Sequence, residues 1–115
     1  MIEVIEYVTE HGVYPFKRYL GSVKDLSAKS KIIQAVNKLE MGLVGNIKSV
    51  GGGLQEYKID VGEGHRIYFY RDGQILIVLL GASSKKDQRV GIQNARVYLE
   101  DYKRQQRISE GRTKR

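Results

Sequence analysis

Along this chain apolar residues first interleave with polar ones, then recur at helical spacing, then interleave again. Residues 2–8 (IEVIEYV) mix β-branched and apolar side chains with glutamates, which predicts a first strand. His11-Gly12 breaks it. Pro15 stands where a helix can begin, because the N–H it lacks has no intrahelical partner in the first turn. Phe16, Tyr19 and Leu20 follow at helical spacing, so a short helix should end near Gly21. Asp25 or Ser27 can cap a second, longer helix. Ile32, Ala35, Val36, Leu39 and Leu43 lie at offsets 0, 3, 4, 7 and 11, one apolar face of that helix.

Asn46 opens a loop or short strand, and Gly51-Gly52-Gly53 is a clear break. Three strands are then expected: residues 54–61, 65–71 and 75–80. Gly62-Glu63-Gly64 and Asp72-Gly73 supply the turns between them. The continuously apolar run Ile75 to Leu80 predicts a strand buried on both faces. Ile92, Ala95, Leu99 and Tyr102 mark a last helix from about Lys86 to Arg104. The expected organisation is one domain over residues 1–104 and a basic, disordered tail over 105–115. The fold class is α+β: a small antiparallel sheet, with an N-terminal helical hairpin packed on one face in two layers, and a C-terminal helix.

Composition narrows the chemistry. The 115 residues contain no cysteine and two histidines, His11 and His65. Disulfides, thiol nucleophiles and zinc-thiolate sites are excluded, and no metal or other cofactor is expected. No apolar run approaches the roughly 20 residues of a membrane helix. The N-terminal stretch has no basic region of the kind that opens a secretory leader. The expectation is a cytoplasmic protein with no membrane partner. Lys and Arg total 20 against 13 Asp and Glu, a net charge of +7, which favours an anionic partner.

The hairpin carries the candidate site. A three-residue loop at 62–64 would oppose Lys58 to Tyr68, Asp60 to Arg66 and Glu56 to Tyr70. All six would point to one side, with Tyr57, Ile59, Val61, Ile67 and Phe69 on the other. The second set can pack on the helices. The first places cations among tyrosines, a pattern that suits RNA: cations meet phosphates and rings stack on unpaired bases. Equally, it is the ordinary composition of a solvated sheet face, and an Asp60–Arg66 pair would then be a surface salt bridge worth roughly 0–1 kcal/mol.

The run from Gly53 to Phe69 (GLQEYKIDVGEGHRIYF) resembles the hairpin motif of the RelE/ParE toxin superfamily. Within it the closest resemblance is to the phage-related addiction-module killer branch, near the HigB-type toxins. Residues 77–88 (IVLLGASSKKDQ) are similar to that branch's ending. The resemblance covers about residues 1–102. It implies a toxin of a type II toxin–antitoxin module, neutralised in a hetero-oligomer by an antitoxin that is often a helix-turn-helix protein. The best-known members cleave mRNA on the ribosome and so inhibit translation; ParE-like members instead inhibit DNA gyrase without being enzymes. An inactive, toxin-fold binding module is the third alternative.

For a ribosome-dependent, metal-independent endoribonuclease the chemistry is attack of a 2′-hydroxyl on the adjacent phosphate. It needs a base, a cation on the phosphate and an acid for the leaving oxygen. By the resemblance, Arg66 holds the phosphate, Lys58 binds it or acts as base, and Lys85 or Lys86 supplies a further cation, Lys85 being the catalytic candidate. His65, where the family commonly has tyrosine, is a candidate for proton transfer, histidine being suited to that role near neutral pH. Lys86, Tyr68, Tyr70 and Gln88 are the expected RNA-binding residues. Asp60 departs from the pattern, since ribosome-dependent members often carry a second lysine there.

Overall fold

A computed structural model describes residues 2–43 and 45–113. The elements are β1 (Glu3–Glu6), α1 (Pro15–Ser22), α2 (Leu26–Glu40), β2 (Ile47–Gly51), β3 (Leu54–Ile59), β4 (His65–Asp72), β5 (Leu76–Ser84) and α3 (Gln88–Thr113). The chain is α+β, with a five-stranded mixed sheet in the order β1-β5-β4-β3-β2.

Local chemistry sets the helix starts. Pro15 opens α1, and the Glu6 carboxylate accepts the first-turn Lys17 N–H at 3.1 Å. The Asp25 carboxylate caps α2, accepting from the Ser27 and Ala28 N–H groups. The inward stripe of α2 is Ala28, Ile32, Ala35 and Leu39; Leu43 falls beyond the helix and is exposed.

Two cores lie on opposite faces of the sheet. Phe16 of α1 and Ile32, Ala35 and Leu39 of α2 pack on Tyr57, Ile59, Ile67, Phe69, Ile77 and Leu79. Ala95, Leu99 and Tyr102 of α3 pack on Leu54, Tyr68, Val78 and Leu80. The expected two-layer arrangement is therefore corrected to three: the face that reads as polar is largely roofed by α3. A second correction concerns β1, which runs parallel to β5 with Glu3 opposite Leu76, so the sheet is mixed rather than antiparallel. A third concerns the end of the chain, where α3 continues through Thr113 rather than giving way to a disordered tail near Arg104.

The hairpin register also differs from expectation. Lys58 opposes Arg66, Glu56 opposes Tyr68 and Ile59 opposes His65, so the connection spans residues 60–64 and Asp60 lies outside the ladder. Parity is unchanged, which keeps Glu56, Lys58, Arg66 and Tyr68 on one face. In β5 the register shifts beside Tyr68/Phe69, leaving Leu80 unpaired between Leu79 and Gly81. This bulge exchanges the faces of the strand, so that Ser83 rather than Ala82 joins Arg66 and Tyr68.

A basic cleft at the end of the sheet as candidate functional site

By the N-terminal end of α3 a cleft of about 420 Å³ opens. Asn46, Lys48, Glu56, Lys58, Arg66 and Gln88 line it. β2 brings Lys48, β3 brings Glu56 and Lys58, β4 brings Arg66, and the first residue of α3 brings Gln88.

At its floor sits an ion pair. Glu56 is 2% exposed and Arg66 4% exposed, and Arg66 Nε stands 3.8 Å from Glu56 Oε1. Lys48 Nζ approaches the same oxygen at 3.8 Å, and Gln88 donates from Nε2 to Glu56 Oε2 at 2.7 Å. Arg66 also donates from Nη1 to the His65 carbonyl at 3.1 Å. Its Nε–H finds no hydrogen-bond acceptor among the described residues. A buried guanidinium donor left without an acceptor is costly, on the order of 1–3 kcal/mol or more. Lys58 stands at the rim, half exposed and 3.7 Å from Asp60. The cleft can thus hold an anionic group between one buried guanidinium and two exposed ammonium groups.

The structure brings Lys58, Arg66 and Gln88 together, and gives Gln88 a physical role as the donor that holds Glu56. Lys85 lies next to the cleft: its N–H donates to the Gly64 carbonyl, and its Cβ lies close enough to crowd any side chain at position 64. Positive φ at Gly64 meets the same demand. Lys86 is exposed in the following turn and lines none of the cleft.

Four expectations find a different placement in the structure. His65 belongs to the opposite face, 5% exposed, where its Nδ1 pairs with the Tyr19 hydroxyl at 2.7 Å. It cannot exchange protons with a group held by Arg66 across the sheet. Tyr68 is fully buried under α3, its hydroxyl bonded to Ser83 Oγ and donating to the Gln88 carbonyl, so no base can stack on it. Burial pushes its phenol pKa up. Tyr70 lies farther along β4, edge-on to Tyr102 and beneath Lys103 Nζ at 5.3 Å. The Asp60–Arg66 pair is replaced by Asp60–Lys58 and Glu56–Arg66.

Glu56, Lys48 and Asn46 are polar cleft residues that the sequence reading gave no role. Glu56 had a visible signature: an acid in a strand whose neighbours Leu54, Tyr57 and Ile59 are all core residues must find a buried partner.

Fold and cleft define a small α+β protein with a basic, carboxylate-floored site at one end of its sheet. The chain is 35% identical over 86 residues to an uncharacterized protein of Haemophilus influenzae (strain ATCC 51907 / DSM 11121 / KW20 / Rd), a match covering 75% of this chain and 87% of that one. It belongs to the same family as that protein. No family model matches the chain. Among the described residues no helix is long and apolar enough to cross a membrane.

Proposed function

We propose that this chain is a toxin of the RelE/ParE type, of the addiction-module killer branch, acting as a ribosome-dependent, metal-independent mRNA endoribonuclease held in check by an antitoxin. One observation carries the reading: the two motif residues expected to meet phosphate, Lys58 and Arg66, pair across β3 and β4 and share one cleft, with Arg66 ion-paired to the buried Glu56. The N-terminal helical hairpin on one face and the following antiparallel meander agree with the arrangement that the sequence motifs imply.

In this reading a phosphodiester lies in the cleft with a non-bridging oxygen on Arg66. The 2′-hydroxyl attacks phosphorus, the 5′-oxygen leaves, and the products are a 2′,3′-cyclic phosphate and a 5′-hydroxyl. Negative charge builds on the phosphoryl oxygens, so preplaced cations lower the barrier. Arg66, fixed by Glu56 and the His65 carbonyl, needs little reorganisation to do so. Glu56 is a positioning residue, itself held by Gln88. Proton transfer falls to Lys58 at the rim, with Lys85 outside the cleft lining as a second candidate, and His65 takes no part.

The test is induced expression with pulse labelling of protein and DNA synthesis, together with mapping of new RNA 5′ ends. Loss of translation with cuts inside translated frames is expected, and Arg66→Lys or Lys58→Ala should abolish both. Early arrest of DNA synthesis with translation intact would replace this reading by gyrase inhibition. A folded product without any effect on growth would leave a binding module.

A further inference from the structure

A second groove, about 440 Å³ in volume, runs along the outer edge of β3 beneath α2. Lys31, Gln34 and Lys38 form one wall, and Asn46, Tyr57 and Lys58 another. Asn46 and Lys58 also line the cleft, so the two depressions meet where β2 begins, with Ile47 opposite Tyr57. That junction is firmly built. The Lys58 N–H donates to the Asn46 carbonyl at 2.9 Å. Gly45 passes so close to the Tyr57 hydroxyl that a Cβ there would collide with it. Among the described residues no carboxylate lines this groove. Lys31 and Lys38 lie one above the other, two turns apart on α2, and neither forms an ion pair among the described residues. Lys38 has a local reason for its place, since it complements the negative end of the helix in the last turn. Lys31, nine residues before that end, has none.

We propose that this groove is a second subsite that receives the phosphates of single-stranded RNA continuing out of the cleft, with Lys31 and Lys38 as its contacts and Asn46 and Lys58 as the bridge. The inference rests on the nucleic-acid reading of the cleft and extends it to the flanking nucleotides. A track of exposed cations at intervals, of which Lys58 alone has a carboxylate neighbour in Asp60, lies beside a site for one phosphodiester and fits a repeating polyanion better than a single anion.

The experiment is titration of a labelled single-stranded RNA oligomer against the full chain over a range of salt. The variants are Lys31→Ala/Lys38→Ala, Lys58→Ala, and Lys17→Ala/Lys24→Ala as a pair of equal charge change away from the groove. Each phosphate contact on single-stranded RNA contributes about 0.7 to the salt slope, so losing two should flatten it by about 1.4. Carried over the decade from 1 M to 0.1 M salt, that is about 25-fold weaker binding at 0.1 M. The control pair should change the slope by less than half as much. Weakening by Lys58→Ala alone, with the groove pair unchanged, would overturn the subsite and leave the cleft reading standing. Equal effects from groove and control pairs would reduce it to net charge and overturn it. No RNA binding by the unaltered chain would sink the cleft reading together with the subsite. If a polyglutamate peptide, rather than RNA, depends on Lys31 and Lys38, the groove takes an acidic protein and the proposal falls.

Discussion

Arg66 is held by geometry as much as by charge, and its substitutions separate the two. Lysine at 66 keeps a positive charge beside Glu56 but loses the planar fork that can meet two oxygens of a phosphate. Arg66→Lys should therefore stay folded and lose activity by a factor on the order of 10²–10³, as expected when one preorganised charge donor is removed. Melting temperature and RNA cleavage on the same samples check this. Arg66→Ala should also cost about 3 kcal/mol of stability, because the buried Glu56 carboxylate loses its buried cation and keeps only the exposed Lys48. Lys58, half exposed, should behave oppositely: alanine there changes stability by no more than about 0.5 kcal/mol and still removes activity. Gln88 tests the support of Glu56. Without its Nε2–H, Glu56 Oε2 is left with a lost bond in a buried place, so Gln88→Ala should cost about 1–3 kcal/mol in urea unfolding. An unchanged unfolding midpoint would mean that the glutamine does not hold the carboxylate.

The element that most departs from its sequence pattern is α3. Its inward residues Ile92, Ala95, Leu99 and Tyr102 were legible as a stripe, but not the face of the sheet they would cover. The even-numbered positions of β3 and β4 look polar, so α3 had no evident seat; in fact Glu56 and Arg66 neutralise one another and Tyr68 is sealed by its bonds to Ser83 and Gln88. The helix starts were readable because Pro15 and Asp25 act on their own first turns. The β1–β5 pairing was not, since Glu3 and Leu76 carry no local mark of one another. Likewise Leu80 looks like any strand residue, yet its bulge decides that Ser83 faces α3. Of the site, Lys58, Arg66 and Gln88 were legible from the hairpin and its ending. His65 was misplaced although simple alternation puts it with Ile67 and Phe69, away from Arg66. α3 runs close against the sheet at Gly91, where a Cβ would lie 2.7 Å from Ser83 Oγ and 2.8 Å from a Tyr68 ring carbon. Alanine favours a helix over glycine by about 1 kcal/mol, yet here Gly91→Ala should destabilise by about 1–3 kcal/mol through overpacking. Thermal unfolding decides the sign, and a gain in stability would show that α3 can shift outward freely.

Across the whole molecule the layers are tied together by phenols. Tyr7, just after β1, donates to Asp101 of α3 at 2.5 Å, and Tyr102 of α3 donates to Asp72 of β4 at 2.9 Å. Tyr68 joins β4 to the start of α3, and Tyr19 joins α1 to His65. Burial, and for Tyr7 and Tyr102 the neighbouring carboxylate, raises all four pKa values; that of Tyr19 is pushed up to about 12. A folded-state pKa above the unfolded one gives stability that is complete below about pH 10 and is lost as pH rises through the folded value. Asp101 is the mirror case. The Tyr7 hydroxyl lowers its pKa below the ordinary 3.8, so its contribution is present above that value and disappears as pH falls through the folded one. Stability should therefore be level near neutrality and fall away at both ends, on the alkaline side from about pH 10. One substitution touches both ends. Tyr7→Phe removes a titrating phenol and also the donor that keeps Asp101 ionised in acid. In urea unfolding followed from acid to alkaline pH, it should lower the plateau by about 1 kcal/mol and flatten both limbs together. Flattening of the alkaline limb alone would mean that Asp101 owes its low pKa to Arg104 and Gln105 rather than to Tyr7.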